Sequence, residues 1–241
     1  MKFARGSFAH ASLGAALALT SSGAAHADDE LEPLTGKDQT QQEPASDHGP
    51  ELAARVGYAS AFGRIERGER IRQTLAGAVP FWVDLGYRLD SHWFVGVFGH
   101  YGLGIASATS KSDCSGCNHS WLRFGLQAQH RWLLGPRRAI WLGLGLGREY
   151  LNTSIDQHAQ HSRSISGWEW LNAQFGCDFQ PAEGFGVGPF LGFSLGTYTT
   201  GRERCLDETL CPRLERDVTK DLEAPGIHGW VNAGVRFVLF P

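Results

Sequence analysis

From residue 79 to residue 89 every second side chain is large and apolar. Val79, Phe81, Val83, Leu85, Tyr87 and Leu89 are separated by Pro80, Trp82, Asp84, Gly86 and Arg88. A strand sends successive side chains to opposite faces, so this spacing builds one apolar face and one mixed face. It excludes an amphipathic helix, whose apolar positions recur every three or four residues. The same alternation runs through 93–105, 122–129, 140–147, 171–179, 185–196 and 230–239, with a weaker first segment at 52–62. Eight strands are therefore expected. Glycine, 31 of 241 residues, fills much of the mixed face. Two stretches, 91–110 and 184–201, carry no Asp, Glu, Lys or Arg and so mimic membrane helices. Their glycines fall largely on alternate positions, however, and six glycines with a proline in 184–201 make a poor helix.

The connections also alternate. Those at 90–92, 135–138 and 181–184 are short and rich in turn residues, whereas 64–77, 107–120, 152–166 and 202–225 are long and polar. Short connections at one end and long ones at the other are the signature of a transmembrane barrel with periplasmic turns and extracellular loops. The fold class expected is all-β: an eight-stranded antiparallel up-and-down barrel. The mixed face carries too few charges to make a water surface, and the apolar face is nearly charge-free over lengths that suit a tilted span of about 9–11 residues. Tyr87, Trp93, Trp132, Phe185 and Phe237 collect near the short-turn ends, where an interfacial girdle belongs. A soluble lipocalin-like binding barrel is the competing architecture.

The N-terminus fits export. Lys2 and Arg5 precede a short apolar run at 11–20, and Ala25-His26-Ala27 is an A-x-A cleavage signature. Residues 1–27 read as a signal peptide cleaved near Ala27. Residues 28–51, acidic and rich in Gln and Pro, read as a flexible periplasmic lead-in, and 52–241 as the barrel. Lys plus Arg is 22 against 25 Asp plus Glu, a net charge of -3 that offers no footprint for nucleic acid. The place expected is the outer membrane of a Gram-negative bacterium, with outer-membrane lipid and lipopolysaccharide as surroundings and the chain a monomer.

Signal peptide, eight alternating strands, three short turns, four long loops and the aromatic close Val235-Arg236-Phe237-Val238-Leu239-Phe240-Pro241 resemble the small outer-membrane barrels of the OmpA and OmpX type. The resemblance is architectural. It implies fold, location and handling by the barrel assembly machinery, and it leaves the function open. Such barrels usually end on the aromatic residue itself; here Phe240 is followed by Pro241.

Parity along the strands directs Arg55, Asp84, Arg88, Arg123, Arg131, Glu149, Asp178 and Arg236 inward, together with His100 and His228. Eight strands leave an interior just wide enough for side chains, and buried charges must be paired. An ion-paired plug is expected, with a proton path or narrow conductance as the other reading. Trp121, Trp168, Trp170 and Trp230 fall on the same parity towards the loop end, as a packed lid or a surface for stacking a sugar or lipid group. Cys114 with Cys117 and Cys205 with Cys211 lie in the second and fourth long loops as disulfide candidates, a four-sulfur zinc site being the alternative. Cys177 stands alone on the apolar face.

His119-Ser120 and His161-Ser162, with Glu149 nearby in sequence, are the elements a lipid-modifying enzyme could use, without a defined motif. No phosphate loop, zinc-protease helix or nucleophile elbow occurs, and no cofactor is implied. Arg64, Arg67, Arg70 and Arg72, interspersed with Glu66 and Glu69, could meet lipopolysaccharide phosphates or form a solvated loop. The function expected is a structural or surface-interaction role through exposed loops. The alternatives are an outer-leaflet lipid-modifying enzyme, a narrow channel and a soluble binding barrel.

Overall fold

The computed structural model describes residues 48–107, 118–154, 161–205 and 217–240. In chain order these form β1 (Gly49–Glu66), β2 (Glu69–Arg70), α1 (Ile71–Thr74), β3 (Leu75–Arg88), β4 (Trp93–Ala106), β5 (Asn118–Gly135), β6 (Arg138–Ser154), β7 (His161–Ala182), β8 (Phe185–Cys205), β9 (Asp217–Asp221) and β10 (Ile227–Leu239). β1, β3, β4, β5, β6, β7, β8 and β10 pair in that order with antiparallel neighbours, and β10 pairs with both β1 and β8, so the sheet closes into a ring. The chain is an eight-stranded antiparallel up-and-down barrel.

The alternation sorts side chains to the two faces. Val83, Leu85, Val97, Leu126, Leu144, Leu191 and Val235 are exposed on the outside. Trp82, Phe98, Arg123, Trp141 and Arg236 are buried inside. Apolar residues therefore face out and charged ones face in, the reverse of a water-soluble barrel.

At one end the turns are tight. Between β3 and β4 the Asp90 carboxylate accepts N–H bonds from His92 and Trp93, both at 2.7 Å, and these hold its pKa below the usual carboxylate value. Between β7 and β8, Gly184 has φ +70°, a left-handed conformation that favours glycine. Its carbonyl accepts the Phe240 N–H at 2.7 Å, tying the last residues to this rim.

At the other end strands continue well into the polar connections. β1 runs to Glu66 and β2 folds back on it, β6 and β7 extend to Ser154 and from His161, and β9 adds onto Thr200–Arg204 of β8. In the described parts of these connections, 64–77, 152–154, 161–166, 202–205 and 217–225, polar residues interrupt the one-sided pattern while strand pairing goes on. Ile65, Ile71, Leu75, Leu151, Ile165 and Tyr198 form an apolar core that fills this mouth, with Trp121 and Trp230 beneath them. A smaller cluster of Trp82, Phe98, Trp141 and Phe190 fills the middle.

Two expectations need correction. Gly49–Glu51, assigned by composition to the lead-in, belong to β1, where Glu51 pairs with Gly86 of β3. And β7 changes parity: the pairing shifts register between Glu169 and Leu171 against β8 and between Gly145 and Gly147 against β6. An extra residue in one strand reverses which face later side chains occupy. Asn172, Gln174 and Asp178 point inward below the bulge, but above it Glu169 points in while Trp168 and Trp170, 52% and 48% exposed, point out.

Candidate functional site

The lumen holds three tiers of charge. At the tight-turn end Glu51 accepts from Arg131 Nη2 at 3.0–3.1 Å and Arg236 Nη2 at 2.8 Å, and its carboxylate lies 3.4 Å from Arg88 Nε. Asp178 takes Arg236 Nη1 at 2.6 Å and the Trp141 indole at 3.2 Å. The Phe240 ring lies against the guanidinium groups of Arg88 and Arg131, 4.0 and 4.8 Å away.

In the middle, Arg55 bonds Asp84 and Gln174, with its guanidinium among the rings of Trp82, Trp141 and Phe190 at 4.8, 5.2 and 5.5 Å. Asp84 also accepts from Gln127 at 2.8 Å. Towards the mouth, Arg123 bonds Glu169, Ser194 at 2.9 Å and His100 Nδ1 at 3.0 Å, with the Trp121 ring 4.2 Å from its guanidinium. An arginine can only donate, so that imidazole nitrogen is an acceptor. Beside it Glu149 accepts from the indoles of Trp121 and Trp230 at 2.8 and 2.9 Å and from the Tyr198 hydroxyl at 2.5 Å; His228 Nε2 lies 3.0 Å away. The two indoles stack 3.5 Å apart, and Tyr198 stacks on His228 at 3.9 Å.

All eight inward charges read from the sequence are thus brought into one interior. Two more carboxylates join them, Glu51 and Glu169, and both were missed. Glu51 hid in an acidic stretch with no apolar alternation around it, and the bulge at Glu169 left no local mark on the sequence. With them, five arginines face five carboxylates. Of the four tryptophans, Trp121 and Trp230 meet inside, whereas Trp168 and Trp170 stand on the outer face.

Among the described residues Glu149 and His119 do not come together as a catalytic set. Glu149 directs its oxygens to its lumenal donors, and His119 Nδ1 meets Thr153 Oγ1 at 3.0 Å. Cys114, Cys117, Cys211 and the side chains of Cys205 and His161 lie outside the described residues. Cys177 is a free thiol. Arg64, Arg67, Arg70 and Arg72 are exposed, and Glu69 pairs instead with Arg163 of β7 at 3.0 and 3.1 Å.

The outer wall carries one irregularity. Leu142, Leu144 and Leu146 of β6 are followed on the same face by Arg148. Its guanidinium lies 4.5 Å from the Trp168 ring and 5.9 Å from the Tyr150 ring. A groove of about 620 Å³ runs below it across β3 to β7, with Val83, Leu85, Val97, Gly99, Phe124 and Leu126 among its walls.

No family model matches the sequence, and neither does any curated protein. Solved structures similar to this chain include Neisserial surface protein A, 12% identical with a TM-score of 0.48 over 80% of this chain and 99% of that one. The outer-membrane protein AlkL in lipid bilayers is likewise 12% identical with a TM-score of 0.48, over 86% and 98%. OprG of Pseudomonas aeruginosa is 13% identical, with a TM-score of 0.43 over 82% and 99%.

Proposed function

We propose that the chain is an outer-membrane barrel whose lumen is a closed strut and whose work is done at its surface, at the long-loop rim and on the lipid-facing wall. The observation that carries this is the filling of the interior: five arginines and five carboxylates bond one another or the aromatic and amide groups between them, and indole and phenyl rings occupy the remaining cross-section. Such an interior offers a permeant ion no hydrated path and a substrate no room.

The membrane location rests on physics. An outer face of Leu, Val, Phe and Tyr over eight strands leaves a large apolar surface, far beyond what a monomer keeps in water. A closed ring also leaves no unpaired backbone edge for lipid to satisfy. On this reading residues 1–27 direct export and are removed, the first and last strands both start or finish on the periplasmic side, and the protein acts as a monomer folded by the assembly machinery. The same reading expects Cys114 to pair with Cys117 and Cys205 with Cys211 in an oxidising compartment.

The test is planar-bilayer recording on the folded protein, with vesicle insertion measured alongside. Insertion without resolved conductance steps is expected. Regular ion-selective steps would overturn the closed strut. Failure to insert, with a soluble monomer in detergent-free buffer, would overturn the membrane location.

A further inference from the structure

On the outer face of β6, between Ile140 and Tyr150, Arg148 is the only Lys, Arg, Asp or Glu, and the described outer faces of β3, β4 and β5 carry none between their tight turns and the mouth. It forms no ion pair among the described residues; its neighbours are the Trp168 and Tyr150 rings. Arg148 stands ten residues from Arg138, where β6 leaves its tight turn. A strand tilted by roughly 45° needs about 9–11 residues to cross the hydrocarbon. The guanidinium therefore sits at the head-group level of the outer leaflet, where a lipid-facing charge is tolerated and an anion is at hand.

Below it the groove crosses five neighbouring strands, a width of about 20 Å at the usual strand spacing. Its floor is Gly99, an outward position of β4 at which an added Cβ would meet nothing within 4 Å. Neighbouring outward positions carry Val83, Val97, Phe124 and Leu126, so the missing side chain leaves a recess in an otherwise filled wall.

We infer that this recess and Arg148 form a binding site for lipid A, its acyl chains lying in the groove and a phosphate on the Arg148 guanidinium beside Trp168. The inference rests on the membrane reading above. Apolar burial does not choose among lipids, because any chain in the groove leaves a medium as apolar as the wall. Shape and charge do. A groove five strands wide suits a lipid with several chains better than a two-chain phospholipid, and a guanidinium pairs with phosphate through a charge-assisted fork.

The test folds the protein into vesicles of phosphatidylcholine, confirms insertion by heat-dependent gel migration, and then titrates lipid A, dephosphorylated lipid A and phosphatidylglycerol as competitors of a fluorescent lipid A. Saturable binding of lipid A is expected, weakened about tenfold by removing its phosphates or by Arg148→Gln, as for loss of one charged hydrogen-bonded contact. Gly99→Leu, which fills open space, should weaken it comparably while migration stays normal. Equal binding by both variants and the parent, or equal competition by phosphatidylglycerol, would overturn the site. Failure to insert would instead strike the membrane reading itself.

Discussion

Glu149, near the mouth, is buried by different means from the carboxylates of the tight-turn end, although its neighbour Glu169 is paired with Arg123. At the tight-turn end Glu51 and Asp178 lie among Arg88, Arg131 and Arg236, so each charge is balanced by a permanent opposite one. Near the mouth Glu149 is held by two indoles and a phenol, neutral donors fixed by stacking, with His228 beside them. Paired charges are costly to separate, because removing one strands the other in a medium that solvates it poorly. Neutral donors are more forgiving, because a lost acceptor leaves unsatisfied dipoles and no bare charge. The tight-turn end should therefore be the stiffer and the more sensitive.

Arg236→Ala is the most direct way to break this contrast, since it takes a guanidinium from Glu51 and Asp178 at once and leaves Arg131 and Arg88 to balance both. A loss of about 3–5 kcal/mol is expected in urea unfolding from lipid vesicles, and Asp84→Ala, which strands Arg55, should fall in the same range. If both matched the parent, the interior would not be the paired network described. Leu144→Arg sharpens inside against outside: a cation facing lipid near the middle of the belt should cost about 2–4 kcal/mol, and a neutral result would place water there. Glu149→Gln retains an acceptor for some of the neutral donors. A cost of about 1–3 kcal/mol is expected in the same assay, and a value above that of Arg236→Ala would reverse the ranking of the two ends.

The smallest effect lies beyond the belt. Asp217 of β9 bonds Arg202, and also Arg204 at 3.4 Å, which lowers its pKa from 3.8 to about 2. The depressed value means that the pair supports β9 above pH 3.8 and is lost as pH falls through about 2. Carboxyl NMR shifts should titrate with a midpoint near 2; a midpoint at the ordinary value would show that β9 is not held to β8 by this pair.

How much of this could be read from the chain depended on whether a residue obeyed the local period. The eight strands and the three tight turns were legible because lipid-facing positions repeat every two residues and turn chemistry separates them. The strand extensions were not, since polar residues interrupt the alternation there, and β9 and α1 are too short to show a period. Asp84 and Arg236 sit in clean alternation and could be placed. Glu169 could not, because parity is counted from neighbours and a single inserted residue reverses it without altering composition. The outward turn of Trp168 and Trp170 follows from the same insertion. Arg148 did leave a signal, a cation in register with Leu142, Leu144 and Leu146, visible once that face is taken as the lipid side.

The contact between Glu51 and Arg236 joins residues 185 apart in sequence, and β1 meets β10 along twelve paired positions from Leu52 to Gly63. The first and last strands made are thus each other's partners. Everything between them must be in place before that seam can zip, since a long-range contact is rewarded only after its loop has been closed. Until then Glu51 waits at an open edge without the Arg236 guanidinium. The seam acts as a completeness check on synthesis: a chain cut short before β10 exposes two raw backbone edges that lipid cannot satisfy, at the place where Glu51 and Asp178 would take Arg236.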